Sequence, residues 1–118
     1  MKYLCLVYID ENRLENVDES HCVAYDEQLR QSGHCLASEA LQSVQTAITV
    51  RVRSGRTSIT DGPFAETKEQ LAGFHLIEAR DLNEAVQIAS KIPSAREGCI
   101  EVRPIRELPG RTRGAGAL

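Results

Sequence analysis

The chain opens on a segment that is apolar on both sides. Over residues 2–9, Leu4, Leu6 and Tyr8 form one row and Tyr3, Cys5, Val7 and Ile9 the other. This predicts a strand covered on both faces. Residues 11–18 are a polar link. Cys22, Tyr25 and Leu29 then recur at i, i+3 and i+7, which predicts a helix over 19–32. Asp18 and Glu19 suit its positive end, and Gly33 is a natural stop. A weaker strand is predicted over 34–41.

In residues 47–53, Ile48, Val50 and Val52 alternate with Thr49, Arg51 and Arg53. Ser54-Gly55 offers a tight turn, and 57–60 returns as a short strand. Asp61-Gly62-Pro63-Phe64 breaks regular structure, because proline excludes helix before it and donates no ladder bond. Residues 71–79 read as a second strand apolar on both faces, with Phe74 and Leu76 opposite His75, Ile77 and Ala79. Asp81 and Glu84 form a D-x-x-E capping box. The helix behind it sets Leu82, Ala85, Val86, Ala89 and Ile92 on one face and ends at Pro93. Residues 99–105 are the last strand, with Ile100 and Val102 inward and Pro104 marking an edge. Residues 109–118 lack apolar periodicity and are expected to be a flexible tail beyond a single domain over 1–108.

The predicted fold class is α+β: a ferredoxin-like split βαβ with an antiparallel sheet and an inserted β-hairpin. In that topology the segments at 2–9 and 71–79 are central. Two helices cover one face of a four-stranded sheet, yet the central strands are apolar on the other face too. A second copy packed sheet to sheet about a two-fold axis is the simplest cover. The expected partner is therefore a homodimer mate.

Composition narrows the picture. The chain has 118 residues with no Trp, so its core must rest on aliphatic side chains. A net charge of -3 provides no electrostatic basis for nucleic acid, and Arg51, Arg53 and Arg56 read as a hairpin's solvent face. The apolar run at the start is too short to span a membrane and is followed by Asp10 and Glu11, so a soluble, cytoplasmic protein is expected. The four cysteines, Cys5, Cys22, Cys35 and Cys99, form no C-x-x-C pair, and no His lies at zinc spacing from two of them. Reduced thiols acting as small hydrophobes are expected, with no metal site. There is no phosphate loop, nucleophile elbow or dinucleotide fingerprint, and no cofactor is expected.

The most specific stretch is TDGPFAETKEQLAGFHLIE, residues 60–78. It resembles the signature of the DGPF family of YCII-related proteins, as do the start MKYLCLVY and the end IEVRPI, so that the resemblance covers residues 1–108. It implies ferredoxin-like subunits paired into a dimeric α/β barrel. The family is largely uncharacterised; some members are encoded beside extracytoplasmic-function sigma factors. Related dimeric barrels include lyases, isomerases and cofactor-free oxygenases acting on small molecules. The matching residues are Asp61, Gly62, Pro63, Phe64, Glu66, Lys68, Glu69 and Gly73. Glu39 matches an acidic position ending the second strand, and His75 stands where a Tyr is more usual.

Asp61, Glu66 and Glu69 crowd around Lys68 within nine residues. Such a group in a pocket can raise a carboxylate's pKa and make it a proton shuttle, while Lys68 binds a substrate carboxylate. The expected catalytic candidates are Asp61, Glu66, Glu69, Glu39 and His75, and the expected ligand-binding ones are Lys68, Phe64 and Tyr8. Three readings follow. One is a cofactor-free small-molecule enzyme using lyase or isomerase acid–base chemistry. Another is a non-catalytic ligand-binding or regulatory module associated with a sigma-factor system. The last makes the 61–64 loop structural, with Asp61 capping the turn and Phe64 plugging the core or a dimer interface.

Overall fold

The computed structural model describes residues 1–110; residues 111–118 of the expected tail lie outside the described residues. Six strands and two α-helices follow in the order β1 (Lys2–Ile9), α1 (Glu19–Gln31), β2 (Cys35–Ala40), β3 (Ile48–Arg53), β4 (Arg56–Asp61), β5 (Gln70–Glu78), α2 (Leu82–Ser90) and β6 (Cys99–Pro104), with short 3-10 turns between some of them. The main sheet is antiparallel with strand order β2-β5-β1-β6. The two strands that are apolar on both sides are thus central, and the ferredoxin-like split βαβ follows. β3 and β4 form a separate two-stranded ribbon. Its turn residues Ser54 and Gly55 both take positive φ, at 52° and 74°, as a two-residue hairpin demands.

Capping explains where the helices begin. The Asp18 carboxylate accepts from the amides of Ser20 and His21 at the start of α1. Asp81 accepts from Glu84 N at 2.9 Å, and Glu84 reaches back to the amide of Arg80 at 2.8 Å, one residue before the cap. Both helices lie on one side of the sheet. There Tyr3, Cys5 and Val7 of β1 and Ile77 of β5 pack on Leu29, Ala85, Ile88, Ala89 and Ile92. Each large apolar side chain buried this way contributes roughly 1.5–3 kcal/mol. The Tyr25 hydroxyl donates to the carbonyl of Ile88 at 2.7 Å and ties α1 to α2. Burial pushes the Cys5 thiol up to about 11, so it is a neutral packing group.

Three expectations need correction. Ile88 belongs to the buried stripe of α2, whereas Leu82 and Val86 are exposed; α2 meets the sheet on a face rotated from the one the sequence suggests. Cys99 is exposed rather than a core thiol, because its row on β6 faces away from the helices. Phe64 plugs no core within the chain, since it is 82% exposed.

Among the described residues no helix covers the opposite sheet face. Its cross-strand rows run Glu39–Phe74–Leu6–Glu101 and Ala37–Leu76–Leu4–Arg103. Leu4, Leu6, Phe74 and Leu76 are half-buried there, whereas Ile48, Val50, Val52 and Ile59 of the ribbon are exposed. No helix among the described residues is long and apolar enough to cross a membrane.

Candidate functional site

The 61–69 loop is held by its backbone. Gly62 takes φ +97°, a left-handed conformation that suits a residue without Cβ. Its amide donates to the carbonyl of Ala47 at 2.7 Å, and the Gly62 carbonyl accepts from the Thr49 hydroxyl at 2.8 Å. The glycine of the motif thus fastens the end of β4 to the start of β3. The side chains around it face outward: Asp61, Phe64, Glu66 and Lys68 are all exposed. Two surface grooves lie elsewhere. One of about 280 Å³ between α1 and α2 is lined by Tyr25, His34, Glu84 and Lys91 among others. The second lies beside Met1, Glu78 and Ile105. Neither holds any of the expected site residues.

Other expected residues do come together. Tyr8 pairs with Cys99 across β1 and β6, and the Cys99 thiol donates to Glu69 Oε1 at 3.6 Å. Glu39 stands on the same uncovered face, opposite Phe74. Tyr8, Glu69 and Glu39 therefore share that face. His75 does not, because it alternates with Phe74 and points toward the helices.

On the helix side, His75 meets residues that the sequence did not mark. Asp26 of α1, Cys35 and Ser38 of β2 and His75 of β5 converge. Asp26 Oδ1 accepts from the Ser38 hydroxyl at 2.7 Å and from the Cys35 thiol at 3.4 Å. Asp26 Oδ2 accepts from Arg30 Nε at 3.0 Å, one helical turn on, and Arg30 also donates to Ser38 Oγ at 3.2 Å. The Ser38, Arg30 and Cys35 hydrogen bonds overcome partial burial and hold the Asp26 carboxyl below its ordinary value. Burial, helped by the Asp26 carboxylate, pushes the Cys35 thiol up, so it is not a thiolate nucleophile as it stands. Burial likewise pushes His75 down, against the opposing pull of Asp26.

His75 Nδ1 is the exception in this network. It is buried and has no hydrogen-bond partner among the described residues. Asp26 Oδ1 is the neighbouring acceptor, and at 3.7 Å it is too distant for a hydrogen bond. A buried polar atom left unpaired costs about 1–3 kcal/mol. No spacing in the sequence signals this cluster, because its members come from three separated elements. Only His75 was legible as a candidate.

A model of the YCII-related domain matches residues 1–109. The chain belongs to the YCII-related family. An uncharacterised protein of Rhizobium meliloti (strain 1021) is 49% identical over 61 residues, which cover 50% of this chain and 49% of that protein. The chain thus spans about half the length of this curated relative. The central strands and the 61–69 loop of this YCII-related chain carry the residues on which the resemblance in its sequence rests.

Proposed function

We propose that this YCII-related protein is a homodimeric ligand-binding module. Its pairing surface is the uncovered sheet face, and its ligand site is the cleft that pairing creates beneath the 61–69 loop. The supporting observation is the apolar character of that face. Leu4, Leu6, Phe74 and Leu76 form a contiguous patch that no helix among the described residues covers, and the ribbon's Ile48, Val50, Val52 and Ile59 are exposed, as is Phe64. Soluble chains rarely leave so much contiguous apolar surface unpaired, and a self-complementary two-fold interface is the commonest remedy. Lys68 and the neighbouring carboxylates would then close over a small acidic or lactone-like ligand.

Leu6→Asp places a charge in the middle of the patch. Sedimentation should report a dimer for the wild type at micromolar concentration and a folded monomer for the variant. Small carboxylic acids and lactones, screened by ligand-detected NMR, should bind the wild type and not Leu6→Asp. A folded wild-type monomer would remove this reading, as would equal binding by both proteins.

Acid–base turnover without a cofactor, of the lyase or isomerase type, is a second reading. It is favoured by Glu39, Glu69 and Tyr8 sharing the uncovered face, where pairing would desolvate them. Turnover of any ligand found in the screen that is abolished by Glu69→Gln would select it.

A further inference from the structure

We propose that Asp26, Cys35 and His75 form a binding site for one divalent cation of the zinc type. The site lies on the helix-covered side of the sheet, away from the pairing face, and does not depend on how the chain assembles. The ligand atoms of these three residues all lie within 4.8 Å of one another. Asp26 Oδ1 is 3.4 Å from Cys35 Sγ and 3.7 Å from His75 Nδ1. Zinc bonded to oxygen, nitrogen and sulfur at its usual lengths holds ligand pairs about 3.3–3.7 Å apart along the edges of a tetrahedron. The 3.7 Å separation is too long for a hydrogen bond, and both separations suit a shared ion.

The mixed donor set points to a borderline-soft metal rather than to magnesium or calcium, which prefer oxygen alone. The unpartnered His75 Nδ1 is the atom this explains best. With the ring proton on Nε2, its lone pair points into the cluster and meets a cation instead of nothing. Arg30 grips Asp26 Oδ2 and leaves Oδ1 turned inward, and Ser38 donates to that same oxygen. Such outer contacts orient metal ligands. Asp26 and His75 keep 24% and 16% of their side chains exposed, which provides an entry edge. Binding breaks the Cys35 S–H bond, forms the metal–sulfur bond and releases the proton to solvent. Three protein ligands leave a fourth position for water or a ligand atom.

The test uses the full chain stripped with chelator. Equilibrium dialysis against zinc chloride should report one ion per chain. Cobalt(II) should produce tetrahedral visible absorption and a thiolate-to-cobalt charge-transfer band. Cys35→Ser should abolish that band, and Asp26→Ala and His75→Ala should each weaken zinc binding at least about tenfold. Cys22→Ser and Cys99→Ser should change neither. Because Cys35 variants can fail to fold, zinc protection of Cys35 from alkylation in the wild type serves as a second measurement. A wild type that binds no zinc, a charge-transfer band that persists in Cys35→Ser, or alkylation of Cys35 unaffected by zinc would each overturn the proposal.

Discussion

Cys35 and Ser38 present their side chains to the same carboxylate oxygen, Oδ1 of Asp26, although they stand three positions apart along a strand. Strict alternation would set them on opposite faces. The register of β2 against β5 shifts between Cys35 and Ala37, so that Cys35 pairs with Ile77 and Ser38 with His75. One extra residue, Leu36, is turned outward by this bulge. Asp26 thereby gains two donors from the strand and one from its own helix. In chelator, Asp26→Ala should lower the unfolding free energy by about 2 kcal/mol, the usual scale for hydrogen bonds to a charged group. Urea titration checks it, and a variant as stable as the wild type would show that these bonds contribute nothing net.

His75 makes metal-free stability depend on pH. Its folded value lies below the ordinary 6.5, chiefly through burial. The unfolded chain therefore binds more protons than the folded chain below about 6.5, and stability falls as pH falls through that window. Above it both states are neutral and the contribution is flat. Replacing His75 by Gln should flatten the difference in urea midpoint between pH 7.5 and pH 5.5. An unchanged slope in the variant would assign the pH dependence to other groups.

Gly98, just before β6, touches the backbone of β1. A Cβ there would lie 2.0 Å from the carbonyl oxygen of Tyr8 and 3.0 Å from Ile9 Cα. Neither atom belongs to a side chain that can swing aside. Gly98→Ala should therefore cost ~3 kcal/mol by forcing the two strands apart. A thermal midpoint within a degree of the wild type would contradict this close approach.

Phe64 distinguishes a loop that serves the dimer from one that serves nothing. If its ring seats against a second copy, Phe64→Ala should weaken dimerisation roughly tenfold to a hundredfold, the scale of burying one large apolar side chain. The stability of the single subunit should not change, because the ring packs on little within it. Analytical ultracentrifugation over a dilution series measures the constant. An unaltered constant would leave the loop without a role at the interface.

Much of the architecture was legible because it is local. The strand at Lys2–Ile9 betrays its central place by having no polar row, and Asp81 with Glu84 announces the start of α2. The hairpin turn at Ser54-Gly55 needs only its own φ angles. Errors arose where orientation depends on distant partners. Ile88 rather than Val86 joins the core because α2 packs across β6 and is tied to α1 through the Tyr25 hydroxyl. Cys99 is exposed because of the face on which its row of β6 falls.

The periodicity of apolar residues, read along the chain, determined the α+β class, the order of elements and the surplus of apolar surface on the central strands. These follow from the alternation and 3.6-residue rhythms that any buried face imposes. Only the tertiary structure decided that His75 turns from the conspicuous 61–69 loop toward Asp26, Cys35 and Ser38. That meeting is fixed by a bulge in β2 and by the seating of α1 on the sheet. Neither leaves a spacing in the sequence, because both arise from contacts between segments far apart along the chain.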